Sequence, residues 1–235
     1  MYGYGYPMYF DWTYILVLIG AALSMIASAN VKSTFEKYSG IPSDSGLTGA
    51  QAAEMILLRN GIDNVRVQSI AGHLTDNYVP SKKVLNLSES TIRSTSIAAI
   101  GVAAHECGHA IQDARSYSPL VLTRTISPAC AIASKFSIPL VIFGMIIGMT
   151  PLINFGIMAF VVAISFQILT LPVEFDASRR AVQTLQENGM TTPEEISGVK
   201  AVLTAAALTY VAAAASSILQ LLRLILIAKG RERRR

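Results

Sequence analysis

Long uncharged apolar runs alternate with one extended polar-patterned stretch, and this alternation organises the chain. Residues 14–29 carry no charge and, with Trp12 and Thr13, are about long enough to cross a bilayer, predicting a first transmembrane helix. No basic residues precede the run, unlike a cleaved signal peptide. Ahead of it, residues 1–13 form a Tyr/Gly-rich tail whose aromatics suit the headgroup level. Residues 129–149 and 152–171 predict the second and third transmembrane helices, joined tightly at Thr150-Pro151. Lys135 can snorkel from one end of the second, and Pro139 can kink it. Residues 199–228, interrupted only by Lys200 and Arg223, predict a fourth crossing, with a buried helix outside the bilayer as the alternative for its Ala-rich half; a basic tail follows over 229–235.

Between the first two crossings, residues 30–128 return to mixed polarity. Thr48 is a helix N-cap for a segment ending at Asn60-Gly61. Val65 to Ile70 alternates apolar and polar residues as a half-buried strand does, and Lys83 to Leu87 reads as a second strand after a turn-like segment from Gly72 to Pro80. Ser88 to Ser90 offers caps for a buried helix over about 91–113, followed by a polar linker to Pro128. Residues 172–198 are expected to hold a helix opened by Pro172, then a new helix start at Thr192-Pro193. The pattern therefore predicts a mainly α integral membrane protein with about four transmembrane helices and a small α+β domain. An exposed strand edge in that domain can hold an extended peptide by main-chain hydrogen bonds.

Composition agrees with a bilayer. The chain is 52% hydrophobic and 14% charged, where soluble domains carry nearer a quarter charged residues. The net charge of +4 is modest and gathers in the tail, which marks a membrane flank and gives no reason to expect a nucleic-acid partner. Two cysteines, Cys107 and Cys130, make no disulfide framework, and Cys107 reads as a small buried hydrophobe.

The chemistry lies in His105-Glu106-Cys107-Gly108-His109. The chain has three histidines, and two stand here one helical turn apart, so both imidazoles can reach one metal ion. Glu106 falls beside them, placed to take a proton from an activated water. Two imidazoles and a carboxylate with an open position suit zinc, one ion per chain. The third ligand has to come from elsewhere. Glu174 is the leading candidate, because a hairpin of two crossings returns the chain to the side of His105; Asp176 is the alternative. Ser178, one turn after Glu174, is placed to orient a ligand. His73, Tyr78, Arg179 and Tyr210 are candidate donors to a developing oxyanion, and for His73 a structural part in its turn is an equal reading.

At His105 to His109 together with Glu174-Phe175-x-Ala177, the chain resembles a gluzincin-type membrane metallopeptidase. It is most similar to the neutral zinc metallopeptidases of the YugP type found in bacteria, and more distantly to HtpX-like proteases and the CAAX prenyl proteases. The resemblance extends over Leu47 to Ala50, Gly72 to Asp76, Leu87-Ser88, Ala98 to Gln112 and Leu171 to Ala181. It implies a zincin-like domain with zinc on His105, His109 and Glu174 and with Glu106 as general base. The wider gluzincin pattern places Asp four residues after the ligand Glu, where this chain has Ser178.

The expected function is thus a membrane-bound zinc endopeptidase, with Glu106 taking a proton from water and returning it to the leaving amine. Its expected substrates are polypeptides, membrane or misfolded proteins met in membrane quality control. Two other readings compete. Intramembrane cleavage is disfavoured because only about eleven apolar residues lie between Arg93 and His105, too few for a span centred on the histidines. An inactive zinc-containing scaffold or regulator would not need the base Glu106. The bacterial cell membrane is the expected location. Lys32 and Lys37, after an uncharged tail, favour a cytoplasmic active site, whereas four crossings would put the Arg-rich tail outside, against the same rule.

Overall fold

A computed structural model of the chain describes residues 11–232. The Tyr/Gly-rich tail therefore lies outside the described residues except for Asp11 to Thr13, as do Arg233 to Arg235 of the basic tail. Seven helices and three strands follow in order. They are α1 (Tyr14–Ser39), α2 (Gly49–Arg59), β1 (Arg66–Ile70), β2 (Asn77–Val79), β3 (Val84–Ser88), α3 (Glu89–Ile92), α4 (Ile97–Ala114), α5 (Ser118–Ile147), α6 (Thr150–Glu187) and α7 (Pro193–Glu232).

Four of these helices, α1, α5, α6 and α7, are long and apolar enough to cross a membrane. Helix α1 packs along α7, and α5 along α6. Side chains such as Leu18, Met25, Phe143, Ile146, Phe155 and Met158 stay exposed on their outer faces, as a lipid-facing surface requires. Between α1 and α7, Gly20 stands directly against Ser216, and Ser24 and Ser216 share a hydrogen bond of 3.1 Å. Small residues of this kind let two spanning helices approach closely.

The crossings run further than the apolar runs alone suggest. Helix α1 continues to Ser39, and α5 begins at Ser118, so the expected linker 113–128 shrinks to the turn between α4 and α5. The polar residues there are absorbed by the helix itself: Thr123 donates to the Pro119 and Leu120 carbonyls and Thr125 to that of Val121. Helix α6 is likewise continuous through Pro172, which does not open a new helix. Pro172 itself is exposed, while its neighbour Val173 is buried and α4, α5 and α7 all pack on α6. Helix α7 is one 40-residue helix whose Ala-rich first half packs on α4 through Val199, Val202 and Leu203.

The small domain sits where α1 ends and α5 begins. Thr48 caps α2 in a reciprocal capping box with Gln51. Strand β3 is buried along its whole length between β1, parallel to it, and β2, antiparallel to it. Strand β2 lies within the segment expected to be a turn; it holds on through three register pairs, Asn77 to Asn86, Tyr78 to Leu85 and Val79 to Val84. The motif helix α4 starts at Ile97, with Ser96 accepting the Ala99 amide at 3.2 Å, instead of at about residue 91. A short helix α3 precedes it, and residues 94–97 are drawn out of helical pairing. Their backbone meets the chain after α1: Ser43 N donates to Thr95 O, Gly49 N to Ser94 O and Ile97 N to Ile41 O. The core joins α2, β3, α4, α6 and α7 through Ile56, Leu85, Leu87, Ile100, Leu185 and Val199, all fully buried.

Candidate metal centre

Helix α4 brings His105 and His109 to one face, their ring centroids 4.8 Å apart and nearly perpendicular. Helix α6 crosses this face closely because of Gly108. A Cβ there would lie 2.5 Å from the Ala177 carbonyl oxygen, so only glycine admits the α6 backbone. The close crossing delivers Glu174, whose Oε2 stands 3.4 Å from His105 Nε2 and 3.6 Å from His109 Nε2. That oxygen is buried and accepts no hydrogen bond. One nitrogen from each imidazole and one carboxylate oxygen lie within 4.8 Å of one another. Glu106, on the same helix, is buried and lines the cavities on both sides of this cluster.

The outer nitrogens of both rings are held. His105 Nδ1 lies 3.1 Å from the Ser178 hydroxyl, and His109 Nδ1 lies 3.0 Å from Gln112 Oε1. The Gln112 amide has a defined orientation. Its Nε2 faces two groups that can only accept, the Val173 carbonyl at 2.8 Å and Asp176 Oδ2 at 2.9 Å. Its Oε1 must therefore accept from His109, so Nδ1 carries a proton and Nε2 is the nitrogen left to face Glu174. Asp176 is fixed in turn by Arg180 at 2.5 Å and by Arg179. Asp176 thus faces Gln112 and the two arginines, away from the inner histidine nitrogens.

Electrostatics suit this arrangement. Burial pushes the Glu106 carboxyl up, ahead of the lowering pull of the two imidazoles, so it exchanges its proton closer to neutrality than a free carboxylate. Burial pulls the His109 imidazole down, but the facing Glu174 carboxylate, with Glu106 behind it, outweighs this and pushes it up to about 9. An orphaned buried carboxylate oxygen between two inward-facing imidazole nitrogens is the donor chemistry that a divalent metal ion takes.

The other expected donors take separate places. Tyr210 lines both cavities beside Glu106 and Glu174. Tyr78 lines the cavity under β2 and α5, but its hydroxyl donates to Asp113 at 2.8 Å; burial and that carboxylate push the phenol above its usual range. His73 is exposed and meets Phe35 edge-on at 5.4 Å, outside both cavities. Arg179 is exposed and pairs with Asp176. Two residues of the site were not among the expected ones, Gln112 and Asp76. Asp76 lines both cavities and accepts from the Ser88 amide and hydroxyl at 2.8 Å each. Gln112 stands three residues after His109, one turn along the same helix face, and that spacing was the signal available for it.

Residues 13–229 match the family described as "Putative neutral zinc metallopeptidase". A relative from Bacillus subtilis (strain 168), described as "Putative membrane protease YugP", is 47% identical over 212 residues, which cover 90% of this chain and 94% of the relative. No solved structure matches the chain.

Proposed function

The chain belongs to the neutral zinc metallopeptidase family just described, and from that premise we propose that it is a membrane-bound endopeptidase holding one zinc ion on His105, His109 and Glu174. The observation that carries this reading is the buried Glu174 Oε2, which accepts no hydrogen bond and faces both Nε2 atoms. A zinc ion held there supplies Lewis acidity, lowering the pKa of water and polarising a carbonyl. Glu106 takes the proton of the attacking water and returns it to the leaving amine; its raised pKa suits both halves of that transfer. Tyr210, lining both cavities, is placed to donate its hydroxyl to the carbonyl oxygen as charge develops there. Strand β2 lines the cavity between it and α5 through Asn77 and Tyr78 and lies at the edge of the sheet, where an extended substrate can add as a further strand. The substrates we assign to it are membrane or misfolded polypeptides.

Glu106→Gln should keep zinc and lose peptide cleavage, whereas Glu174→Ala should lose both. Zinc content of the detergent-purified proteins, beside cleavage of an unfolded protein, reads the two apart. Full cleavage by the Glu106→Gln variant, or equal zinc in the Glu174→Ala variant, would sink the assignment.

A further inference from the structure

Three carboxylates, Glu106, Glu174 and Asp76, face both cavities at the metal centre. Glu174 meets the metal and Glu106 handles the proton, which leaves Asp76 without a task in the reaction. Its position is nonetheless fixed. Ser88 holds one oxygen through its amide and the other through its hydroxyl, at 2.8 Å each. Just ahead of it, Thr75 donates to the Ala71 carbonyl at 3.0 Å, and Leu74 stands in the left-handed backbone region with φ of 57°. A branched side chain enters that region only at a cost of about 1 kcal/mol or more, so the bend that delivers Asp76 is imposed by its surroundings.

The charge has no counter-ion. An ionised carboxylate accepts about four hydrogen bonds, and Ser88 supplies two. Among the described residues Asp76 forms no ion pair. Arg124 lines one of the same cavities, but it lies 3.6 Å from Asp113, which Lys83 also meets at 2.6 Å. An amide oxygen would accept from the Ser88 amide as well as a carboxylate does, so holding Ser88 does not account for the charge. A half-buried carboxylate beside two others is a place that a cation relieves.

Asp76 also stands where a bound strand would pass. It directly precedes β2, whose only paired neighbour among the described residues is β3. Side chains alternate along a strand, so Asp76 continues the face of Tyr78, which reaches Asp113 at the end of α4. A peptide added to the open edge of β2 sends every second side chain to that face, and opposed residues there stand about 5 Å apart at Cβ. We propose that Asp76 is the residue that selects a basic side chain, lysine or arginine, in the polypeptide strand laid along β2. The proposal rests on the peptidase reading above and adds to it the side-chain class that the substrate presents.

The test needs no turnover. Short norleucine peptides with blocked ends, carrying a hydroxamate chelating group at either end, are compared with versions in which lysine replaces each norleucine in turn. They are titrated into the zinc-loaded full chain in detergent and followed by calorimetry. At one position lysine should bind at least about tenfold more tightly, the scale of a hydrogen bond between charged groups. In Asp76→Asn, which keeps an acceptor for the Ser88 amide, that ratio should fall to near one. Ratios near one at every position in the wild type, or an unaltered ratio in a variant that still holds zinc, overturn the proposal. A norleucine compound with a free amino terminus tests the other source of an ammonium, and a gain that follows the terminus instead of the lysine overturns it too. If Asp76→Asn holds no zinc, carbodiimide coupling of the lysine compound to the wild type takes its place. The lysine amine should then form an amide with Asp76, located by peptide mass mapping, and coupling elsewhere or nowhere counts against the proposal. Cleavage is scored separately. A wild type that prefers lysine but cuts no peptide would remove the peptidase reading and leave the selectivity of Asp76 standing.

Discussion

At the scale of single residues, the defining feature is how much chemistry is placed behind the histidines. Gln112 can face His109 only with its oxygen, because its nitrogen is committed to Val173 and Asp176. Gln112→Leu removes this hold on the ring and should weaken zinc binding by about 10–100-fold, as losses behind a metal-bound histidine usually do. Competition against a chelator of known affinity measures it. Gln112→Glu, which cannot donate to Val173 or Asp176, should fail to restore affinity. A pH dependence follows from His109. Its metal-free imidazole is raised to about 9, so at lower pH a proton occupies the nitrogen that zinc needs. Apparent zinc affinity should therefore climb about tenfold per pH unit up to about 9 and then level off. A flat profile across that range would show that the metal displaces no proton from His109.

At the scale of elements, the crossing of α4 and α6 decides whether the centre exists. Gly108→Ala sets two effects against each other. Alanine favours a helix over glycine by about 1 kcal/mol. Its Cβ, however, would stand 2.5 Å from a backbone carbonyl that cannot rotate away, and overpacking of this kind costs about 1–3 kcal/mol. The clash should win, with a lower melting temperature and loss of zinc together, because displacing α6 moves Glu174 from the histidines. Ser96→Ala is the contrasting case. It removes the cap of α4 at a distance from the metal centre and should cost about 1 kcal/mol with zinc content unchanged. The elements themselves were legible in unequal measure. The capping box at Thr48 and the start at Thr192-Pro193 are local signals and could be read from neighbouring residues. The start of α4 at Ile97 could not, since the groups competing for its backbone come from residues 41–49.

At the scale of the molecule, four helices suited to crossing a membrane carry a small domain that caps one end of the bundle. This arrangement places the turn between α5 and α6 opposite the end of α6. Single cysteines at Met149 and at Glu187, one at each end of α6, should therefore be labelled from opposite sides of sealed vesicles. The native thiols Cys107 and Cys130 are buried and should not interfere. Labelling of both positions from one side would require α6 to turn back within the bilayer.

Run length, the one-turn spacing of two histidines and the residue types at helix starts are properties of neighbours in sequence, so the chain alone was enough to predict four crossings and a zinc-type motif beside a small sheet. Glu174 could be singled out because a tight hairpin of two crossings brings the chain back to its starting side. The remainder depended on partners distant in sequence. Strand β2 exists through its pairing with β3, and α6 runs on through Pro172 while packed against α4, α5 and α7. Gln112 and Asp176 meet across 64 residues. The cavity lined by Phe35, Val102, Glu174 and Val202 is the space left among α1, α4, α6 and α7, and no local pattern records a space whose walls are set only when those helices pack.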